Sequence, residues 1–214
     1  MSSEYRALPL RERKRLRTRR TLADVALRLF TAQGFDATTV EQLVDEAEVS
    51  RSTFFRAFAT KEAVAVEAET ELWSKYIAAL EARELRDSVL TELRDTLTEA
   101  VESLPEDWDR RYIATRSLIL TAPTLLGHVE YQRSRVEHQV IDCLTNKLGL
   151  SPDDLRPHIL AELTTTAWSI AARAWVRSDG DSGRPALINR LHHAFAAIPT
   201  ALILAPEGAA NATG

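Results

Sequence analysis

Two short helical patterns separated by only three residues constrain this chain more than any other feature of its sequence. The first pattern places apolar residues at i, i+3, i+4 and i+7 of one helical face: Val40, Leu43, Val44 and Ala47. The break comprises Glu48, Val49 and Ser50, and Ser50 is a favourable N-cap for a second helix. Two short helices joined by so tight a turn predict a helix-turn-helix, whose second helix enters the major groove of DNA.

The start of the first helix is open between two threonines. Thr38 has Glu41 three residues on, and Thr39 has Gln42 at the same spacing. Because either pair could form a capping box, the sequence allows both starting points.

The second helix divides its residues between two faces. Phe54 and Phe58 are four residues apart and should pack inward with Val49. The other surface carries side chains suited to DNA near the helix N-terminus: Arg51, Ser52, Thr53, Phe55 and Arg56. These five are therefore candidate DNA-binding residues.

Each candidate on that surface fits a different part of DNA. Arg51 could donate paired hydrogen bonds to guanine, and an exposed Phe55 could press on a thymine methyl group. Thr53 could bond to a base or a phosphate. Arg56 lies more than a turn later, where a phosphate contact suits it better.

Three segments in order, residues 38–42, 49–58 and 60–62, resemble the DNA-binding domain of TetR-type repressors. The similarity runs from about Arg20 to Glu67. It implies a three-helix DNA-binding domain, with further DNA contacts expected from Thr38, Thr39, Ser50 and Lys61, the last through a phosphate at a helix start. Without the resemblance, the pattern also fits a helical hairpin that binds no nucleic acid.

The chain departs from the TetR pattern at two positions. Glu48 stands where the family usually has Gly, so the turn must avoid left-handed geometry or tolerate its cost. Phe55 stands where a Tyr is usual, which removes a hydroxyl that could reach a phosphate.

Composition favours an all-α protein with a basic N-terminal part. The 214 residues include only 7 Gly and 8 Pro, and 45% are hydrophobic. Residues 1–62 hold 12 Lys and Arg against 9 Asp and Glu, whereas the rest holds 15 against 22. Only the N-terminal part has the charge expected of a surface that approaches phosphates.

Other features exclude classes of protein rather than assign one. A single cysteine, Cys143, rules out an internal disulfide and fits a reducing cytoplasm. No apolar run approaches a membrane span, and the basic start is unlike a signal peptide. The histidines lack metal-binding spacing, and no phosphate loop or nucleophile motif occurs. We therefore expect a cytoplasmic protein without a cofactor, metal or enzymatic activity.

Residues 11–20 contain seven basic residues and one acid. They could be a solvated tail or an arm that contacts DNA, with Arg17 and Arg19 as candidates for phosphate or minor-groove contacts. We favour the arm because it adjoins the first helix of the DNA-binding domain. The expected organisation is a flexible arm at 1–19, a DNA-binding domain at 20–66, a helical ligand-binding and dimerisation domain at 67–205 and a flexible tail at 206–214.

The C-terminal part resembles, through residues 148–157 and the flanking helical pattern, the C-terminal domain of a TetR subgroup that includes the mycofactocin-type regulator. That resemblance implies a ligand similar to a long acyl-CoA. Bundle pockets lie between helices, and the expected lining comprises Trp108, Tyr112, Arg116, Leu120, His128 and Tyr131. An aromatic stripe at helical spacing is more often plain core, and Arg116 could pair with an anionic ligand or an internal acid.

The last two predicted helices are candidates for a dimer interface. Pairing with a second copy would build a four-helix arrangement. The residues expected there are Leu163, Ile170, Leu187, Leu191, Phe195 and Ile198. Burial within the subunit is the alternative for each of them.

Together these features predict a homodimeric repressor that binds a palindromic operator in double-stranded DNA and is released by a small acyl-CoA-like or other lipophilic effector. The first alternative is an effector-independent dimeric DNA-binding protein whose helical body serves only dimerisation. The second, an enzyme with an accessory DNA-binding domain, lacks a catalytic constellation in the sequence.

Overall fold

The computed structural model describes residues 9–204, in which helices are joined by short turns and no strand occurs. The helices are α1 Leu10–Gln33, α2 Val40–Glu46, α3 Arg51–Ala57, α4 Lys61–Ala65, α5 Glu67–Ala82, α6 Val89–Glu102, α7 Trp108–Thr121, α8 Thr124–Leu148, α9 Leu155–Arg177 and α10 Gly183–Ala201. The predicted all-α class is confirmed. Residues 1–8 of the expected arm and the tail at 206–214 lie outside the described residues.

The chain divides into two compact units. The first comprises residues up to Leu72 together with Pro105–Arg133, and the second comprises Trp73–Leu104 together with the chain from Ser134 onward. Helix α7 and the start of α8 therefore belong to the same unit as α1–α4. The domain expected at 67–205 is divided between both units.

The first unit is built on a core that α1 shares with the short helices. Leu22 and Phe30 of α1, Leu43 of α2 and Phe54 of α3 are almost completely buried in one apolar cluster, which also includes Leu118 of α7. Helices as short as α2 and α3, with seven residues each, are marginal in isolation. Burial of such side chains, each contributing roughly 1.5–3 kcal/mol, holds them in place.

Helix α1 begins earlier than the sequence suggested. It starts at Leu10, directly after Pro9, and runs for 24 residues, so residues 10–19 are helical rather than a flexible arm. Proline is tolerated at a helix start because its missing N–H has no intrahelical partner there. The basic side chains of this segment therefore project from a helix.

Of two other helix boundaries, one differs from the sequence pattern and one agrees with it. The sequence after the Thr60 cap predicts one long helix from about Lys61 to Arg83, whereas the structure interrupts it at Val66 (φ −105°, ψ 21°), which separates α4 from α5. Helix α7 ends at Thr121 and α8 begins at Thr124, a break that Pro123 predicts because proline disrupts a helix interior.

The second unit has an aromatic core of its own. Trp73 of α5 makes edge contacts with Tyr76 and with Trp168 of α9, at centroid distances of 5.7 and 6.0 Å. Leu187, Leu191 and Phe195 of α10 are also buried in this unit. None of the described helices is both long and apolar enough to cross a membrane.

Candidate nucleic-acid interface

The start of α2 is fixed by Thr39 rather than Thr38. The Thr39 hydroxyl accepts from the Gln42 N–H at 3.2 Å, and the Gln42 side chain accepts from the Thr39 N–H at 2.8 Å, which completes a capping box. The Thr38 side chain is buried and donates to the Gly34 carbonyl at 2.8 Å. The prediction that Thr38 contacts DNA is therefore wrong: its hydroxyl closes the loop before α2.

The turn between α2 and α3 contains the strained position that the sequence indicated. Glu48 adopts a left-handed conformation, with φ +51°. The following Val49 N–H donates to the Val44 carbonyl at 3.0 Å, which ties the turn back to α2. The chain therefore tolerates the cost of a side chain at a position where glycine is favoured.

Ser50 caps α3 as predicted, because its hydroxyl accepts from the Thr53 N–H at 3.2 Å. The Ser50 oxygen also lies 2.9 Å from the hydroxyls of both Ser52 and Thr53. Arg56 donates to the Thr53 hydroxyl at 3.1 Å. The polar side chains at the start of α3 thus form one local network, with Ser50, Ser52 and Arg56 exposed and Thr53 half-buried.

The two faces of α3 are separated as the sequence predicted. Phe54 is fully buried, whereas Phe55 is 45% exposed and meets the Phe54 ring edge-on at 5.3 Å. The Arg51 guanidinium lies 5.6 Å from the Phe55 ring centroid and 2.9 Å from a Glu41 carboxylate oxygen. Because both Arg51 and Glu41 are largely exposed, this ion pair is weak and leaves Arg51 able to exchange partners.

Lys61 is held inside its own domain. Its ammonium donates to the carbonyls of Phe35 and Thr38, both at 2.9 Å, and lies 4.2 Å from the Phe35 ring centroid. Two of its three N–H donors therefore fasten the loop between α1 and α2. The third donor is not used by these contacts, so the phosphate contact of Lys61 stays a prediction.

The two arginines expected to contact DNA from the basic segment lie in different environments. Arg17 is exposed on α1. Arg19 points into the domain, where its guanidinium pairs with Glu67 of α5 and donates to the Ala57 carbonyl at the end of α3. Glu67 is 48 residues from Arg19 in sequence, so no local spacing could have indicated this pair.

Family comparisons agree with this geometry. Residues 22–68 match the model of "Bacterial regulatory proteins, tetR family", and residues 87–202 match that of the "MftR C-terminal domain". The chain is also 32% identical over 185 residues to the HTH-type transcriptional regulator TcmR of Streptomyces glaucescens, covering 80% of this chain and 79% of TcmR. The chain belongs to the TetR family. It is a DNA-binding transcriptional regulator with a helix-turn-helix at residues 40–57.

Solved TetR-family structures share its fold. The SmeT–triclosan complex has a TM-score of 0.55 at 19% identity, covering 84% of this chain and 90% of SmeT. The fatty acid degradation regulator FadR of Bacillus halodurans has a TM-score of 0.54 at 16% identity, covering 83% and 93%. At such identities the likeness concerns the fold alone.

The residues expected to line a ligand pocket do not share one environment. Trp108 and Tyr112 are buried with their ring centroids 4.7 Å apart, and the Trp108 indole N–H donates to the Ala68 carbonyl at 2.8 Å. Leu120 and Tyr131 are instead 83% and 63% exposed, so the prediction that they line an internal pocket with Trp108 and Tyr112 is wrong. They follow the apolar pattern, but their helices turn them outward.

The two remaining expected pocket residues are polar and lie in the first unit. Arg116 donates to Glu69 at 2.7 Å, which is the internal-acid alternative that the sequence left open. His128 is half-buried, and burial lowers the pKa of its imidazole. In the part of the chain that the structure describes, no cluster of three or more His, Cys, Asp or Glu could hold a metal ion.

The residues expected at a dimer interface also divide into two groups. Leu187, Leu191 and Phe195 are at most 3% exposed in the single chain, so they form internal core, and their prediction as interface is wrong. Leu163 and Ile198 are half-buried, and Ile170 is 51% exposed. A helical stripe reveals which face of a helix is apolar but not what covers that face. In this structure α9 and α6 of the same chain pack against α10.

The strained turn gives a direct test of the helix-turn-helix geometry. We expect the free energy of unfolding of the Glu48→Gly variant to be about 1 kcal/mol higher than that of Glu48→Ala, because only glycine adopts positive φ without steric cost. Both variants remove the same carboxylate, so urea unfolding of the pair isolates the backbone contribution. Equal stabilities would show that the turn does not hold residue 48 in the left-handed region.

Proposed function

We propose that this TetR-family regulator is a homodimeric, sequence-specific repressor that a small lipophilic ligand releases from a palindromic operator. The observation that carries the proposal is the exposed face of α3. Arg51, Ser52 and Phe55 project from its first five residues, while Phe54 anchors the helix from behind. The N-terminal residues of a recognition helix are those that meet base edges in the major groove.

Arg51 is the residue best placed to read a base. It follows the Ser50 cap directly, so its side chain leaves the end of α3 that enters the groove first. Its planar guanidinium matches the O6 and N7 acceptors of guanine. Arg56 lies in the last turn of α3 and suits a phosphate.

The division of roles between these arginines can be measured with operator variants that differ at single base pairs. Arg51→Ala should weaken binding to the correct operator by about 1–3 kcal/mol and relax the choice at one base pair per half-site. Arg56→Ala, the control from the same helix, should weaken all variants nearly equally. If Arg51→Ala also weakens every variant by the same factor, Arg51 holds a phosphate, and Ser52, Thr53 and Phe55 remain as the readers.

The dimer surface that we propose lies on the exposed side of α9. Leu155, Ile159 and Ile170 are 69%, 57% and 51% exposed, and Leu163 continues their row at helical spacing. A row of exposed aliphatic side chains on a long helix is the feature that a second copy would cover. The family resemblance supports the second copy as the partner, and a two-fold axis would pair α9 with its own equivalent.

Replacing Ile159 and Ile170 together by Glu should convert the dimer to folded monomers at micromolar concentration, because each charge would be buried in the interface. Sedimentation measures the association state, and circular dichroism measures the fold. Leu120→Glu is the matched control, since Leu120 is equally apolar and 83% exposed but lies in the first unit. A double variant that stays dimeric would exclude this face of α9.

A ligand-binding role for the C-terminal helices is supported by two kinds of observation. Residues 87–202 match the MftR C-terminal domain, and the structurally similar SmeT was solved with triclosan. FadR is named for fatty acid degradation. An apolar molecule with an anionic group, such as a long acyl-CoA, is the class that we propose, and it would act only through its different affinities for the DNA-bound and free forms.

Titration of a fluorescent operator complex separates this proposal from an effector-independent regulator. We expect a long-chain acyl-CoA to release the DNA, and free coenzyme A to leave the complex intact, because the apolar chain supplies most of the binding free energy. A detergent of similar chain length controls for non-specific disruption. Retention of DNA at every acyl-CoA concentration would favour the effector-independent dimer.

A further inference from the structure

We propose that Arg19 is a positioning residue for sequence recognition, which sets the orientation of α3 from inside the DNA-binding domain. This inference deepens the proposed function and rests on it. It gives the basic segment a second role besides attraction to phosphates. The partners of Arg19 are Glu67, Ala57 and Phe58.

The Arg19 guanidinium is engaged on three sides. Its Nε donates to Glu67 Oε1 at 2.5 Å, and its Nη2 donates to the second oxygen of the same carboxylate. Its Nη1 donates to the Ala57 carbonyl. Its Cζ lies 4.1 Å from the centroid of the Phe58 ring. A bidentate carboxylate pair, a backbone acceptor and an aromatic face use the planar fork of an arginine fully.

These contacts join three helices at one end of α3. Arg19 belongs to α1, Ala57 is the last residue of α3, and Glu67 is the first residue of α5. The last carbonyls of a helix lack intrahelical partners, and a cation there is favoured by both hydrogen bonding and the helix dipole. Arg19 therefore satisfies the end of α3 and ties it to both neighbouring helices.

Partial burial strengthens this arrangement. The side chains of Arg19 and Glu67 are 31% and 14% exposed. Burial raises the pKa of the Glu67 carboxyl, and the Arg19 guanidinium opposes that rise. Removal of either partner would leave the other charge poorly compensated, so the pair acts as a unit.

The consequence for function follows from the size of α3. A helix of seven residues is too short to be stable alone, so its orientation depends on contacts with the rest of the domain. These contacts are the Ser50 cap at one end, Phe54 in the middle and Arg19 at the other end. Base contacts require side chains placed within a fraction of an ångström. Loss of the Arg19 contacts should therefore reduce recognition of the operator more than attraction to DNA in general.

A phosphate contact and a positioning role predict opposite results for Arg19→Lys. Lysine keeps the charge, so a phosphate contact would survive the change. Lysine does not reproduce the bidentate pair together with the contacts to Ala57 and Phe58. Glu67→Gln also distinguishes the two roles, because it weakens the ion pair but leaves every cation in place. A phosphate contact would survive this change, whereas a positioning role would not.

The test measures affinity for the operator and for unrelated DNA of equal length over a range of salt concentrations, at a temperature where circular dichroism shows every variant folded. Arg19→Lys and Glu67→Gln should each lower the ratio of the two affinities roughly tenfold, comparable to the loss of one base contact. The salt dependence on unrelated DNA should stay unchanged. The double variant should lose little more than either single variant. Arg28→Lys, which changes an exposed arginine of the same helix that pairs with Glu46, should leave the ratio unchanged.

Two results would overturn the proposal. The first is wild-type discrimination in both Arg19→Lys and Glu67→Gln, even where their melting temperatures fall. The second is a salt slope lowered by about 0.9 in Arg19→Gln with no effect of Glu67→Gln, which would make Arg19 a phosphate contact. If Arg19→Lys does not fold, Glu67→Gln alone decides. Failure of the wild-type protein to discriminate between the DNAs would instead refute the proposed function.

Discussion

The insertion of Phe54 into the core that α1 provides is the contact on which the DNA-binding surface depends. Helix α3 has seven residues, too few to be stable alone, and its side chains can be presented only if the core fixes it. Phe54 is fully buried among apolar neighbours, while Phe55, the next residue, is 45% exposed. One buried ring thus determines which side of α3 faces outward.

The cations of the DNA-binding domain divide into two groups because of this arrangement. Arg51 and Arg56 are exposed, and their local partners are side chains near or within α3. Arg19 and Lys61 turn inward and bind backbone carbonyls. Arg19 binds that of Ala57 at the end of α3, where partial negative charge accumulates, and Lys61 binds two carbonyls in the loop between α1 and α2. The number of cations in the N-terminal part therefore does not equal the number of phosphate contacts, since some of these cations stabilise the domain itself.

Local spacing was sufficient to predict some of these features and not others. The cap at Ser50, the break at Glu48 and the inward face of Phe54 depend on residues within four positions of one another, and the structure has all of them. The same spacing left Thr38 and Thr39 as alternative caps of α2, and the structure uses Thr39. The Arg19–Glu67 pair depends on residues 48 positions apart, which periodicity does not connect.

The same limit explains the misassigned apolar residues. Leu187 and Leu191 lie on a correctly predicted apolar stripe, but only packing decides whether a subunit or its copy covers that stripe. Leu120 is apolar and outward, which no pattern of spacing distinguishes from a pocket residue. Helical class and motif were therefore predictable from the sequence, whereas partners in space were not.

Dimerisation would give the orientation of α3 a larger effect than one subunit suggests. A two-fold symmetric dimer presents two copies of α3, and each copy is held by its own Phe54 anchor and Arg19 contacts. Discrimination free energies at separated base pairs are roughly additive, so the discrimination ratios of the two half-sites multiply. An error in the orientation of α3 would occur in both half-sites at once. Arg19 would therefore affect specificity without touching a base.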